Sequence, residues 1–392
     1  MFNPQNLGFQ LIGELSPFYY LSEVANYLFC LLIVCVFIHF KYVKREHFIF
    51  WAIYFLSPFL FNFILFHPAY MGDQFLYASQ IINVKSGLES SESITAAFGS
   101  FEYFKQARVL VSSYILSYIP IFSLSSITSL AFINKLLIFI MFLFLEKRIQ
   151  SKYALYFIMI PSLILYSSVS LRDTLVLVSA VFSIIFLIER RVWSSLIFII
   201  LVGLTKLQNF PALLVLWIFT FIIQASKSYS RIAIVASVLL LSFIVFFDTF
   251  SGILNLYRVA WAMEDGMSLN EATGLEFSSG LDLIFLSLIE IPIFLLKPLP
   301  WQISNPLQLL VFLENIFLFY LIYIFAIKDG FYKNKENIIL IAGFIMCMGL
   351  HAITVYNYGT LARYRFIGLF PYLVGFYYLR NRYESERSIK PA

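Results

Sequence analysis

Charge is what this sequence has least of. Asp, Glu, Lys and Arg together make up 12% of 392 residues, against about 25% in an ordinary soluble domain. With 61% hydrophobic residues, too little polar surface remains to clothe separate water-soluble domains. Cysteine is almost as scarce: Cys30, Cys35 and Cys347 lie inside apolar runs, at spacings that fit neither a zinc site nor a disulfide framework. They read as small core residues, and redox chemistry is set aside. Internal repetition is missing, which argues against a solenoid and against the duplicated architecture of many transporters. Lys and Arg are absent from the first seventeen residues, so the basic start of a cleavable signal peptide is lacking. The net charge of +5 is dispersed in short clusters between apolar runs. That arrangement sets membrane topology and excludes a nucleic-acid partner.

What is present is a succession of apolar runs. A helix needs about 20 mainly apolar residues to cross the hydrocarbon core. The runs predict about eleven spans, near 18–40, 47–67, 124–145, 153–170, 174–189, 193–208, 211–226, 232–248, 306–326, 337–355 and 366–380. The expected fold class is all-α, a polytopic membrane protein forming one transmembrane helical domain over 1–392. Most of the 27 basic residues fall on every second joint: Lys41/Lys44/Arg45, Lys147/Arg148/Lys152, Arg190/Arg191, Lys227/Arg231, Lys328/Lys333/Lys335 and Arg380/Arg382/Arg387/Lys390. The positive-inside rule makes that side cytoplasmic. The expectation is a bacterial inner (cytoplasmic) membrane protein, N-terminus outside and C-terminus inside.

The other joints contain the two long stretches, 68–123 and 249–305. Within them 109–122 and 281–297 are apolar but would break the alternation of charge if they crossed. They are expected to be interfacial or re-entrant helices in outer loops one and two. Function is therefore sought on the outer rim, where four polar groups collect. These are Gly72-Asp73-Gln74-Phe75-Leu76-Tyr77; Leu171-Arg172-Asp173 after Pro161-Ser162; Gly203-Leu204-Thr205-Lys206-Leu207-Gln208-Asn209; and Asn357 through Arg365.

Those residue types suit sugar transfer from a lipid phosphate. The reaction needs a base to take a proton from the acceptor hydroxyl and cations to hold the departing phosphate. Asp73 is an acid at an outer helix end, with Tyr77 one turn later able to stack on a sugar ring. Arg172, Lys206, Arg363 and Arg365 supply cations, and Arg grips phosphate through two hydrogen bonds at once. Simpler readings stand beside each: Asp73 as a helix cap, Arg172-Asp173 as an ion-paired turn, Lys206 as a snorkelling lysine, Arg363 and Arg365 as interfacial anchors. Lys135, near the middle of a span, is expected to pair with an acid on another helix.

Over roughly residues 47–245 the chain resembles the GT-C superfamily of polyprenyl-phosphate-dependent membrane glycosyltransferases. The resemblance runs through Asp73 and Tyr77, then Arg108 and its interfacial helix, Lys147/Arg148, Pro161, Ser167/Ser168, Arg172-Asp173 and Gly203-Leu204-Thr205-Lys206. The C-terminal part is similar to bacterial membrane proteins encoded with surface-polysaccharide genes, including O-antigen polymerases. There the residues are Lys297-Pro298-Leu299-Pro300-Trp301, Glu314 and Asn357 to Arg365. The resemblance implies Asp73 as catalytic base, with Tyr77, Arg108, Arg172, Asp173, Lys206, Asn209, Arg363 and Arg365 around the substrate. Where that superfamily often has a second acid this chain has Gln74, so no metal or other cofactor is expected. The implied partners are a polyprenyl-phosphate- or diphosphate-linked glycan, membrane lipid and polysaccharide-assembly proteins.

Three function classes follow. A lipid-carrier glycosyltransferase needs a charged outer rim, long outer loops and short inner turns, and all three are present. A repeat-unit polymerase for O-antigen or capsule is its chemical neighbour, with extra cations for two carrier diphosphates. A flippase or transporter would need a charged midplane, and only Lys135 and Glu314 lie there.

Overall fold

The computed structural model describes residues 17–65, 73–85, 104–124, 126–169, 171–225, 247–264, 266–355 and 358–389. The expected span 232–248 lies almost entirely outside them, as do 68–72 and 86–103 of the first outer loop. Every element among the described residues is a helix. In chain order the longer ones are α1 (Pro17–His39), α2 (Phe48–Tyr54), α3 (Asp73–Lys85), α4 (Phe104–Ser117), α5 (Ile127–Glu146), α6 (Ser151–Ile158), α7 (Pro161–Ser167) and α8 (Asp173–Ile188). There follow α9 (Val192–Thr205), α10 (Phe210–Ala225), α11 (Phe247–Glu264), α12 (Leu269–Thr273), α13 (Gly280–Leu296), α14 (Pro306–Ile322), α15 (Lys335–Thr354) and α16 (Tyr358–Ile389). By length and composition, four helical stretches among the described residues can cross a membrane: Leu21–His39, Ile127–Glu146, Pro306–Lys333 and Lys335–Thr354.

Local chemistry sets the ends of these helices. Ser126 caps α5 by accepting the Ser129 amide at 3.0 Å, Asn305 caps α14 through the Gln308 amide at 2.9 Å, and Asn334 caps α15 through two amides. Each satisfies donors that a helix start leaves open. At the other end, Lys41 and Arg190 turn the chain out of α1 and α8 with φ of 60° and 63°, the left-handed stop of a helix C-terminus. Pro161 divides the run 153–170 into α6 and α7, because a proline has no amide to continue the ladder. The run 47–67 is likewise in pieces, α2 followed by a π-helical turn at Leu60–Leu65.

The chain forms two compact units, Met1–Val178 with Leu204–Lys206, and Ser179–Gly203 with Leu207–Ala392. The first is built on α5, whose side chains are all buried from Ile127 to Phe139. Trp51 of α2 meets Phe139 and Phe142 edge-on, with ring centroids 4.8 and 5.2 Å apart, an arrangement worth about 0.5–1.5 kcal/mol per pair beyond burial. Glu23 of α1 accepts hydrogen bonds from the hydroxyls of Ser126 and Ser129, the latter at 2.7 Å. Asn26 exchanges two bonds of 2.8 Å with the backbone of Ser123. Between lipid-immersed helices such packing and polar ties replace the hydrophobic drive. The opposite face of α1 stays open at Leu21, Leu28 and Leu32, as a lipid-facing stripe would.

In the second unit α15 packs against α10, α13 and α16. A Cβ on Gly343 would sit 3.2 Å from both Leu216 and Tyr372, and one on Gly375 would meet Ile184 at 2.6 Å. Both glycines let these helices approach closely. The stretch 281–297 is the single helix α13 of 17 residues with Pro292 inside. At about 25 Å it falls short of the roughly 30 Å hydrocarbon core. The preceding stretch, expected as loop, contains α11 and α12. Along α11, Leu254, Arg258 and Ala262 fall four residues apart on one inward face, and the arginine in that stripe conceals it from a hydropathy reading.

Candidate active site

The turn between α7 and α8 carries Arg172 and Asp173. A buried polar scaffold holds it from beneath. Asn134 of α5 donates to the carbonyls of Val169 at 2.7 Å and Leu171 at 2.9 Å. Asn62 donates to the carbonyl of Ser168 at 2.8 Å, and the Ser168 hydroxyl reaches Ser57 at 3.0 Å. Lys135, fully buried, donates to Ser167 Oγ at 2.8 Å and to the Ile164 carbonyl at 3.1 Å, with the Tyr54 ring 4.1 Å away. Lys135 therefore meets hydroxyl, carbonyl and aromatic groups, and among the described residues no carboxylate lies within ion-pair reach. The expected acid partner is replaced by the Ile164 carbonyl and the Ser167 hydroxyl near the C-terminal end of α7, where a helix favours a cation.

Above this scaffold three elements converge. Tyr77 of α3, Val109 of α4 and Val169 and Leu171 of the turn form one buried cluster. The Arg172 guanidinium lies 5.4 Å over the Tyr77 ring, within cation–π range. Its Nη1 is buried and has no hydrogen-bond partner among the described residues. Asp73 is the first residue of α3 and exposed. Standing four residues before Tyr77, it lies on the same face of the helix. Arg108 is buried on α4, beside the Val109 that touches the cluster. The first unit therefore sets Arg172 against Tyr77, with Asp73 one turn earlier on α3 and Arg108 next in sequence to the cluster's Val109.

Asp173 and Lys206 pair with each other. Lys206 Nζ lies 2.9 Å from Asp173 Oδ1, with side chains 2% and 3% exposed. The ion pair expected within Arg172-Asp173 is thus made by Asp173 and Lys206. A lysine so compensated is a tie between the start of α8 and the end of α9.

The remaining site residues belong to the second unit. Asn209 lies in the 3-10 turn Leu207–Asn209, its Oδ1 buried without a hydrogen-bond partner among the described residues. Arg363 lies over the ring of its neighbour Tyr364 at 5.4 Å. Arg365, 4% exposed, donates from Nη1 to the carbonyls of Phe294 at 3.1 Å, Leu295 at 3.2 Å and Lys297. It closes the C-terminus of α13, where a helix presents unsatisfied carbonyls and partial negative charge. Near it, Arg258 forms a two-bond pair with Glu290 at 2.6 and 3.0 Å and reaches the Ile353 carbonyl at 3.2 Å.

Arg258, Asn62 and Asn134 were not singled out from the sequence. The two asparagines did leave a signal: uncharged amides in the middle of apolar runs are costly unless bonded. Among the described residues no group of three or more His, Cys, Asp or Glu side chains is placed to hold a metal. No family model, curated protein or solved structure matches this chain.

Proposed function

We propose that the chain is a membrane glycosyltransferase that takes sugar from a polyprenyl-phosphate- or diphosphate-linked donor at the outer face of a bacterial inner membrane, in surface-polysaccharide assembly. The observation that carries this reading is Arg172 lying over Tyr77, one helical turn from the exposed carboxylate of Asp73. An acid, a ring and a guanidinium with one nitrogen unpartnered among the described residues are the three groups the transfer calls for. In the proposed step Asp73 takes the acceptor hydroxyl proton while the oxygen bonds to the anomeric carbon. The bond from that carbon to the phosphate oxygen breaks, its electron pair stays on the carrier phosphate, and Arg172 neutralises the charge. Tyr77 orients both the sugar face and Arg172. About eleven spans with both long loops outside complete the reading.

The polymerase reading rested on an excess of outer cations. Lys206 is compensated by Asp173 and Arg365 caps α13, which leaves fewer groups for a second diphosphate and favours a transferase with one lipid-linked donor. The test is Asp73→Asn, which keeps shape and removes the base. Glycan extension in a deletion strain should fall by about 10²–10⁴ in rate at unchanged protein level. Full-length glycan from that variant at native expression eliminates Asp73 as the base.

A further inference from the structure

The end of α1, the reversal that follows it and the end of α5 enclose a cavity of about 610 Å³. Its wall bears Lys41, Lys44, Arg45 and Lys147 against one carboxylate, Glu146. Glu146 also faces His47 Nδ1 at 3.9 Å, and Lys44 is drawn to Glu46 at 3.5 Å. Among the described residues Lys41, Arg45 and Lys147 have no carboxylate within ion-pair reach. The Lys147 ammonium lies 5.0 Å from the Tyr42 ring centre. With four cations and one carboxylate in its wall the cavity carries a net positive charge and favours an anion.

Two further observations narrow the anion. An adjoining groove of about 430 Å³, with Cys35 and Phe48 in its wall, shares Ile38, His39 and Arg45 with the cavity. A charged pocket therefore adjoins a shallow, open depression beside α1 in which Cys35, Ile38 and Phe48 supply apolar wall next to His39 and Arg45, a polar-to-apolar step like that of a phospholipid. Lys41, moreover, stands at φ 60°, a conformation that glycine adopts without strain, while the buried Val43 fixes the reversal. We propose that this cavity binds the phosphate headgroup of an anionic membrane lipid, with an acyl chain in the groove along α1. The site is separate from the Asp73–Arg172 neighbourhood and stands whatever that neighbourhood does.

Native mass spectrometry of the purified full chain with phosphatidylglycerol or phosphatidylcholine tests it. The expected result is preferential retention of phosphatidylglycerol, with the preference falling about fivefold for each cation removed in Lys41→Gly, Arg45→Gln and Lys147→Gln. Lys41→Gly relieves the left-handed strain, so a weakening there is not a folding failure. Lys152→Gln and Arg191→Gln, which remove charge elsewhere on the chain, should leave the preference unchanged. Inorganic phosphate distinguishes the two sources of the anion: it cannot fill the groove and should displace the lipid only in large excess. Equal retention of both lipids, an unaltered preference in all three variants, the same loss in the two controls, or displacement by equimolar phosphate would each overturn the proposal.

Discussion

Asp173 and Lys206 form an almost fully enclosed pair at 2.9 Å, and such a pair answers differently to one substitution and to two. Removing a single member strands the other charge, at about 3–5 kcal/mol, whereas replacing both by apolar residues is close to neutral. Asp173→Asn is therefore expected to lower the thermal midpoint of the purified chain, and Asp173→Leu combined with Lys206→Met to restore it. If the double variant also restores glycan extension, the pair is structural; a stable but inactive double variant returns Asp173 or Lys206 to the substrate. Arg365 needs the same separation. Its guanidinium donates from one nitrogen to three carbonyls at the end of α13, and a lysine, with a different stem and a more strongly hydrated ammonium, would have to shift to reach the same three acceptors. Arg365→Lys should cost about 1.5–3 kcal/mol in stability, the scale of hydrogen bonds to a charged group. Intolerance at 365 then speaks for helix capping. Only a loss of extension with an unchanged melting curve assigns Arg365 to phosphate.

At the scale of elements, the sequence carried the helices whose apolar runs are unbroken. The runs 18–40, 124–145 and 337–355 match α1, α5 and α15 to within about three residues, because each is flanked by a cap or a basic stop. It carried less where one residue changes the meaning of a run: Pro161 splits α6 from α7, and Arg258 hides α11. Of the candidate site, Asp73, Tyr77 and Arg172 could be named from the sequence because they are the residue types that the proposed chemistry calls for. The partners of Lys206 and Arg365 were not, since they come from helices distant in the chain and no local spacing encodes them. The capping box that starts α12 offers an element-scale test. Ser268 donates to Glu271 from both its amide, at 2.9 Å, and its hydroxyl, at 2.7 Å, and these bonds hold the Glu271 carboxyl below its usual range. A depressed folded-state pKa stabilises the box above the ordinary value near 4.5, and that contribution disappears as pH falls through the folded value. Hydrogen exchange in α12, corrected for its intrinsic rate, should accelerate below about pH 4.5 relative to pH 7. Glu271→Gln should flatten that dependence, and an unchanged response in the variant would show that another group controls it.

Orientation in the membrane is the whole-molecule property on which the transferase reading depends, since a polyprenyl-linked donor at the outer face is out of reach of a cytoplasmic rim. The positions of Lys and Arg set the expected orientation. The stops of α1 and α8 are themselves basic residues, Lys41 and Arg190, held in the left-handed conformation. The end of α5 carries Lys147 and Arg148, and α16 ends in Arg380, Arg382 and Arg387. The last three are anchored locally: Arg380 pairs with Glu384 at 2.7 Å, Arg382 with Glu386 at 2.9 Å, and Arg387 lies over the Tyr383 ring. Short basic joints resist translocation, so these ends should remain inside while residues 68–108, 249–280 and 356–365 lie outside. Alkaline phosphatase fused after residue 90 or residue 265 should be active and fluorescent protein fused there dark, with the reverse after residue 389. A cytoplasmic signal at residue 90 would put Asp73 and Arg172 on the wrong side for the donor and end the transferase reading. The lipid site at the ends of α1 and α5 would survive that result, because anionic headgroups face both leaflets and the cavity's charge does not depend on which one it meets.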